Sequence, residues 1–242
     1  NLLQDWARLV GFDEETGIDL PFEKSGLIPD RDLFVAWADA KDPRLSSDRL
    51  EYESPWFGGD LFQAAVGQGS VLSTPVQLAS AYAALVNGGT VWQPRVVKEI
   101  QTEDGVLVKR FEPVVLNQVD ELSASTVRAL RNDLQQVVNN PRGTAYAAFA
   151  DFGPLKALVG GKTGTAEIIK RRVDEEGNVV QDSVTTALFV GVAPIDDPEY
   201  VVVVIIERGG SGGGIAAPTA KPILQYLLEQ PMTEVSAGQD AD

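Results

Sequence analysis

Apolar positions recur along the chain with two different periods, and where the period changes the element changes. Leu2, Leu3, Trp6, Leu9 and Val10 fall on one face of a helix over residues 2–10, which Gly11 ends. A second helix is marked by Thr74 as N-cap, Pro75 at the first helical position and Gln77 completing a capping box. Val76, Ala79, Ala83 and Val86 are its expected buried face, and Gly88-Gly89 closes it. A third begins near Ser123, carries Val127, Leu130, Leu134, Val137 and Val138, and stops at Asn139-Asn140-Pro141. Gly143-Thr144-Ala145 then leads into a short alanine-rich helical turn ending near Phe149. A last helix turns Ile223, Leu224, Leu227 and Leu228 toward the core.

The strand-like runs lie between these. Residues 91–102 and 106–111 read as strands joined by a turn at Glu103-Asp104-Gly105, and residues 161–169, 185–193 and 200–207 as three more. The first two of those three are separated by a charged excursion from Lys170-Arg171-Arg172 to Asp182, turning around Glu175-Glu176-Gly177-Asn178. A short Pro194-to-Pro198 link joins the second and third, and such connections favour antiparallel neighbours. Residues 12–56 are loop-rich, punctuated by Pro21, Pro29, Pro43 and Pro55, with a helical turn at 33–38; so long a segment suits a functional loop or a cover over a cleft. Residues 209–214 read as a flexible loop, either a lid beside a site or a mobile connection, and 231–242 as a disordered acidic tail. The sum is an α+β fold, an antiparallel sheet with helices packed on it.

Composition narrows the chemistry. The 242 residues suit one large domain or two small ones, and 44% apolar content supplies a sizeable core. The run from Val201 to Ile206 is far too short to span a bilayer. Asn1-Leu2-Leu3-Gln4-Asp5 lacks the basic start and apolar core of a secretion signal, so any targeting segment is expected to lie elsewhere or to have been removed. A net charge of −15 argues against nucleic acid and anionic membranes as partners, and it obliges any carboxylate substrate to find a local basic anchor. With no cysteine and no histidine, disulfides, thiol chemistry and Ser-His-Asp catalysis are excluded. Proton transfer must run through Lys, Asp, Glu or Tyr.

One stretch offers such an anchor. Gly160-Gly161-Lys162-Thr163-Gly164-Thr165-Ala166-Glu167 reads as an edge strand, with Lys162 and Gly164 on one face and Thr163 and Thr165 on the other. An edge leaves backbone N–H groups for a ligand, and Gly164 has no side chain to hold it away. That suits an anionic, peptide-like ligand laid alongside as an extra strand. The plain alternative is a hairpin strand with a solvated lysine, and the tripeptide alone recurs easily by chance. Lys170-Arg171-Arg172 reads better as a solvated hairpin tip than as an anion site, and Gly67-Gln68-Gly69-Ser70 lacks the P-loop pattern. The carboxylates are scattered, with no pair marked out for acid–base work.

Gly161-Lys162-Thr163-Gly164-Thr165-Ala166-Glu167 resembles the KTG box of the penicillin-binding proteins and serine β-lactamases. The resemblance extends, in the family's order, through Thr16-Gly17-Ile18-Asp19-Leu20-Pro21, Gly26-Leu27-Ile28-Pro29, Gly67-Gln68-Gly69, Thr74-Pro75-Val76-Gln77-Leu78-Ala79 and Asn87-Gly88-Gly89. It continues through Gly143-Thr144-Ala145, Phe189-Val190-Gly191-Val192-Ala193-Pro194 and Asp197-Pro198-Glu199-Tyr200. It is strongest toward class B enzymes of the elongation type, similar to penicillin-binding protein 2. The resemblance implies a partial serine β-lactamase/transpeptidase-like fold over residues 1–230. It also implies peptidoglycan cross-linking through an acyl-serine, with the D-alanyl-D-alanine stem peptide as substrate and β-lactams as inhibitors. By motif position Lys162 supplies positive potential to the substrate carboxylate and to the serine–lysine centre. Thr163, Gly164 and Thr165 line the substrate, with Thr165 the better hydroxyl contact and its N–H an oxyanion donor. No cofactor or metal is implied. The family works at the extracytoplasmic face of the bacterial membrane, with membrane-embedded cell-wall synthesis partners, and the anchor is not in these residues.

The departure from the family pattern is as informative. No S-x-x-K occurs in the 242 residues, and Ser46-Ser47-Asp48-Arg49 has arginine where the lysine belongs; no S-x-N occurs either. The resemblance begins just downstream of where both motifs fall, so the chain is read as the C-terminal part of a transpeptidase domain, inactive alone. The rival from another class is a non-catalytic penicillin-binding-like sensor or scaffold, in which Lys162→Ala leaves biological activity intact. A β-lactamase, the rival within the same chemistry, is betrayed by rapid nitrocefin hydrolysis.

Overall fold

The computed structural model describes residues 2–173 and 179–229, with side chains described outside 168–182. Its framework is a three-stranded antiparallel sheet of β5 (Gly160–Val173), β6 (Val179–Ala193) and β7 (Tyr200–Ile206), with β6 in the middle. The register pairs Lys162 with Val190, Gly164 with Leu188, Thr165 with Ala187 and Val192 with Val201. The three strands and their antiparallel order match expectation. The charged excursion does not: pairing continues to Val173 opposite Val179, because a backbone ladder does not depend on apolar side chains. The expected turn at 175–178 and the tail at 231–242 lie outside the described residues.

Alternation along β6 gives the sheet two different faces. Ala187, Phe189 and Ala193 point to one, where they pack with Phe149, Val159 and the helix α6 (Ala217–Glu229). Val192 points to the other, against Val86 and Tyr82 of the helix α4 (Pro75–Asn87) and against Ile195. On α6 the buried stripe is Ala217, Ala220 and Leu224; Leu227 and Leu228 are partly buried, but Ile223 is 43% exposed, contrary to expectation. Ile223 sits about 100° round the helix from Leu224, enough to carry it off the stripe. The expected flexible loop at 209–214 closes into a π-helical turn, Gly212–Ala216, that feeds directly into α6, with the Ser211 hydroxyl accepting from Gly214 N at 3.1 Å. Residues 141–151 form a series of turns rather than a helix, followed by a 3-10 helix at Gly153–Leu158. Ala145 and Phe149 are nonetheless fully buried there.

The N-terminal half is built differently. α4 forms as its signals require: Gln77 N donates to Thr74 Oγ1 at 3.1 Å, Thr74 N to Gln77 Oε1 at 2.9 Å, and Gly88 ends the helix in the left-handed conformation. Its buried positions are Gln77, Ala81, Ala84 and Val86, so only Val86 of the four expected residues is fully buried. Gln77 rotates the face because its amide Nε2 donates to Glu14 O at 2.7 Å and Ser25 O at 2.6 Å, tying the 12–30 loop to the helix. The helix α1 (Leu2–Leu9) buries Gln4, which donates to Pro29 O at 3.1 Å, while Leu2 is 75% exposed; of the apolar stripe only Val10, just past the helix, is fully inside. The helical turn expected at 33–38 is the helix α2 (Arg31–Asp39), capped by Asp30. A helix absent from the sequence reading, α3 (Gly58–Ala65), buries no residue.

Residues 91–102 are not one strand. They split into β1 (Thr90–Trp92) and β2 (Glu99–Gln101) around Pro94, which has no N–H to give a ladder. β2 pairs with β3 (Leu107–Arg110) as the expected hairpin, and β1 pairs with β4 (Val115–Gln118), which the sequence did not announce. The helix α5 (Ala124–Asn139) is as expected, capped by Ser123 and buried at Val127 and Val138.

Candidate functional site

The Lys162–Thr165 segment lies on β5, an edge strand of its sheet. Opposite β6, Lys162 and Gly164 share the face of Val190 and Leu188, and Thr163 and Thr165 share that of Phe189 and Ala187. The glycines before the lysine are sterically required. A Cβ on Gly161 would stand 2.5 Å from the Phe189 ring, and one on Gly160 2.5 Å from Ile195 Cδ1. These contacts draw the strand onto the core and fix where Lys162 emerges. The Lys162 ammonium donates to Thr163 O at 2.7 Å.

The threonine face is clasped from outside the sheet. Thr163 Oγ1 lies 2.7 Å from Thr144 Oγ1, and Gly212 N donates to Thr165 Oγ1 at 3.3 Å. With one lone pair engaged by Gly212, the Thr165 hydroxyl keeps its own proton free to donate. Gly212 comes this close because it lacks a side chain: a Cβ there would stand 2.2 Å from Leu188 O and 2.4 Å from Gly164 O. A Cβ on Gly213 would stand 2.3 Å from Thr144 O. Thr144, Gly212 and Gly213 were not singled out as site residues from sequence. The glycine run was the available signal, but glycine runs also mark plain loops.

On the lysine face a cavity of about 490 Å³ opens between β5–β6 and the N-terminal elements. Lys162 through Ala166, Leu188 and Val190 form one wall; Ala7 of α1, the end of α3 with Gly67 and Gln68, and Leu78 and Tyr82 of α4 form the other. Apolar surface dominates the lining, and Lys162 brings a positive charge to it. Burial pushes the Tyr82 phenol above its ordinary range and keeps it neutral. Gly67 and Gly69 both have positive φ, at 72° and 69°, which a non-glycine residue would adopt only with strain. Two other cavities lie apart from the Lys162 strand, one of about 530 Å³ between α1 and the β1–β4 pair and one of about 360 Å³ beside Arg44 and Arg49.

The structure thus brings all four sequence-predicted residues, Lys162, Thr163, Gly164 and Thr165, to one wall of a cavity whose other wall carries the Gly67-Gln68 motif. Contacts elsewhere in the N-terminal half hold the scaffold. Glu23 accepts from Thr16 N at 2.8 Å, Gly17 N at 2.9 Å and the Thr16 hydroxyl. Arg8 bridges Asp13 at 2.9 Å and Asp30 at 2.8 Å. Asn87 caps its own turn through Thr90 N at 2.9 Å and Thr90 O at 2.8 Å. Among the described residues no group of three or more potential metal ligands converges, and no helix is long and apolar enough to cross a membrane.

Comparison with known proteins agrees with this geometry. The family model described as penicillin binding protein transpeptidase domain matches residues 1–225. Peptidoglycan D,D-transpeptidase MrdA of Haemophilus influenzae is 32% identical over 96% of this chain and 33% of its own length; that of Escherichia coli K12 is 27% identical over 99% and 35%. The chain therefore spans about a third of the length of these curated relatives. Pseudomonas aeruginosa PBP2, solved in complex with WCK 5153, superposes with a TM-score of 0.69 at 28% identity, covering 97% of this chain and 45% of that one. Mycobacterium tuberculosis PBP3 complexed with aztreonam gives 0.64 at 26% identity, covering 93% and 45%. A family match over nearly the whole chain leaves one assignment: the chain belongs to the penicillin-binding protein transpeptidase domain family.

Proposed function

We propose that this chain forms the KTG-bearing wall of a peptidoglycan D,D-transpeptidase, and that the serine nucleophile is supplied by polypeptide outside these residues. The observation that carries the reading is the edge strand Lys162–Thr165 facing a cavity, with its threonine hydroxyls held beside the strand. The absence of any S-x-x-K within the 242 residues supports the second half. So does the span of about a third of the curated relatives' length.

In this reading the serine oxygen attacks the penultimate D-alanine carbonyl of a stem peptide. An ester forms, the terminal peptide bond breaks and D-alanine leaves with a proton on its amine. An amine from a neighbouring stem then attacks the ester carbonyl, making the cross-link and returning the proton to the serine. Lys162 supplies positive potential to the substrate carboxylate and to the serine centre. The Thr165 hydroxyl donates to the carboxylate, and Thr165 N–H forms half of the oxyanion hole. The strand edge receives the peptide in extended form. β-Lactams occupy the same place in this reading; the Mycobacterium tuberculosis neighbour is itself a complex with one of them, aztreonam. The substrate places this work at the extracytoplasmic face of the membrane.

The test is covalent labelling by a fluorescent penicillin. A polypeptide extended upstream to include S-x-x-K is expected to be labelled, and this chain alone is not. An extended protein that carries the motif and still resists labelling sinks the reading in favour of a non-catalytic module.

A further inference from the structure

Thr144 lies outside the KTG strand, yet its position is among the most constrained in the molecule. Asn139-Asn140-Pro141 stops α5, and the turn that follows is locked to the helix end. Gly143 N donates to Asn140 O at 2.7 Å, and Ala145 N donates to Val137 O at 3.1 Å. A Cβ on Gly143 would stand 2.3 Å from Val137 O, so only glycine lets the turn close this tightly. On the far side of Thr144, Ala145 is fully buried in the main core. α5 is itself tied to the start of β5 by Asn139 Nδ2, which donates to Val159 O at 3.1 Å. Thr144 is therefore held between a welded glycine and a buried alanine, with Gly213 against its carbonyl. Its side chain is exposed, so burial does not explain the choice of threonine.

What that side chain touches is the Thr163 hydroxyl, at 2.7 Å. Each hydroxyl has one proton, and the pair uses one of the two between them whichever donates. One proton is left over beside the strand. An unpaired Thr163 hydroxyl would rotate freely and spread its dipole over three staggered positions. Paired with Thr144, it has a fixed orientation before any ligand arrives, and an orientation already fixed is one that binding does not have to impose.

We infer that Thr144 is a positioning residue for carboxylate recognition: through its hydroxyl contact it sets the Thr163 hydroxyl so that the spare proton is presented to a carboxylate on the Lys162–Thr165 strand. The inference rests on the reading of that strand as the carboxylate-binding wall. It assigns to the Gly143-Thr144-Ala145 turn a role in specificity for a carboxylate-bearing ligand, beyond its role in chain reversal.

The experiment uses the intact protein, with its serine segment, and two probes: a fluorescent penicillin and the methyl ester of its carboxylate. For Thr144→Val the half-saturating concentration of the free acid rises about tenfold, the scale of one hydrogen bond to a charged group, with the limiting acylation rate unchanged. The ester's slower labelling is the same in Thr144→Val as in wild type, and Thr144→Ser restores the acid's half-saturation. An equal loss for acid and ester means Thr144 only holds the turn, and overturns the inference. An indifferent Thr144→Val alongside a labelled wild type overturns the inference alone. A wild type that neither probe labels overturns the site reading, and this inference with it.

Discussion

The sheet half and the N-terminal half of this chain are held together by different means, and the site lies on the seam. Around β5–β7 the interior is apolar: Phe149, Phe189, Val192 and Leu224 are fully buried. Around α1–α3 the apolar interior is a smaller cluster of Phe34, Trp37, Leu45 and Trp56, while Leu2 at 75%, Phe62 at 68% and Phe22 at 93% exposure lie outside it. Polar clamps supply cohesion that this small cluster does not reach. Gln77 grips two loop carbonyls, Gln4 grips Pro29, Arg8 joins Asp13 to Asp30, and Glu23 closes the Thr16–Gly17 turn. Burial is non-directional and gives a stiff strand; hydrogen bonds are directional and define the path of a loop that the core does not reach. The proposed substrate-binding strand needs the first, and the proposed meeting of the other wall with further polypeptide is compatible with the second.

The largest expected effect breaks the comparison at the seam itself. Lys162→Ala in the intact protein removes the one cation that lines this cavity among the described residues, and acylation by a fluorescent penicillin is expected to fall by at least about 100-fold, the scale of lost electrostatic stabilisation in such sites. Folding should be unaffected, because the Lys162 side chain is exposed and donates to the carbonyl of its chain neighbour Thr163. Labelling that survives unchanged would remove Lys162 from the mechanism.

Next comes the apolar side. Phe189 stacks at 5.8 Å on Phe149, and its ring lies against the position where a Gly161 Cβ would be. Phe189→Ala should cost about 3–5 kcal/mol, measured by urea unfolding, because the rigid surroundings cannot close over the cavity. Acylation should fall in parallel, since the strand loses its backing. A cost below about 1 kcal/mol, the scale of a surface change, would mean the core is more pliant than its packing indicates.

The polar side should give a smaller loss of a different kind. Gln77→Ala leaves Glu14 O and Ser25 O without their donor and removes half of a capping box. About 2–3 kcal/mol is expected, since buried polar groups left unpaired carry most of the cost. Hydrogen exchange should rise mainly in residues 12–30 rather than in the sheet. Exchange that rises equally in β5–β7 would show the two halves to be one cooperative unit.

The same contrast explains what the sequence could show. The sheet was legible because a period of two and short connections specify it, and α4 was legible because Thr74, Pro75 and Gln77 are local signals. The buried face of α4 was not, because Gln77 is inside for the sake of carbonyls 63 and 52 residues away. β4 and α3 escaped for the same reason: β4 exists through pairing with β1, and α3 has no buried stripe to give it a period. The KTG strand could be read from its motif, but Thr144 could not, since nothing in Gly143-Thr144-Ala145 points to a strand 19 residues away.

The mildest test is acid. Among the described residues, Asp19, Glu23, Asp30, Asp42, Asp48 and Asp151 have carboxyls held below their ordinary range, and all but Asp151 belong to the N-terminal half. Hydrogen bonds from Arg44 bring Asp42 to about 2. For Asp30, burial pushes upward but is outweighed by Leu33 N–H and the Arg8 guanidinium. A lowered folded-state value means the stabilisation is complete above the unfolded values of 3.8 for Asp and 4.5 for Glu, and is lost as pH falls through the folded ones. Neutral pH is therefore safe, and the window of loss opens below about pH 4.5 and extends toward pH 2. Over that window α1–α2 and the 12–30 loop should lose amide protection, corrected for the intrinsic rate, before β5–β7 does. Asp30→Asn should weaken this half at neutral pH and flatten its response to acid, because the amide neither titrates nor pairs with Arg8 as a charge. If the sheet yields first, or both halves yield together, then the polar clamps are not what holds the N-terminal half in place.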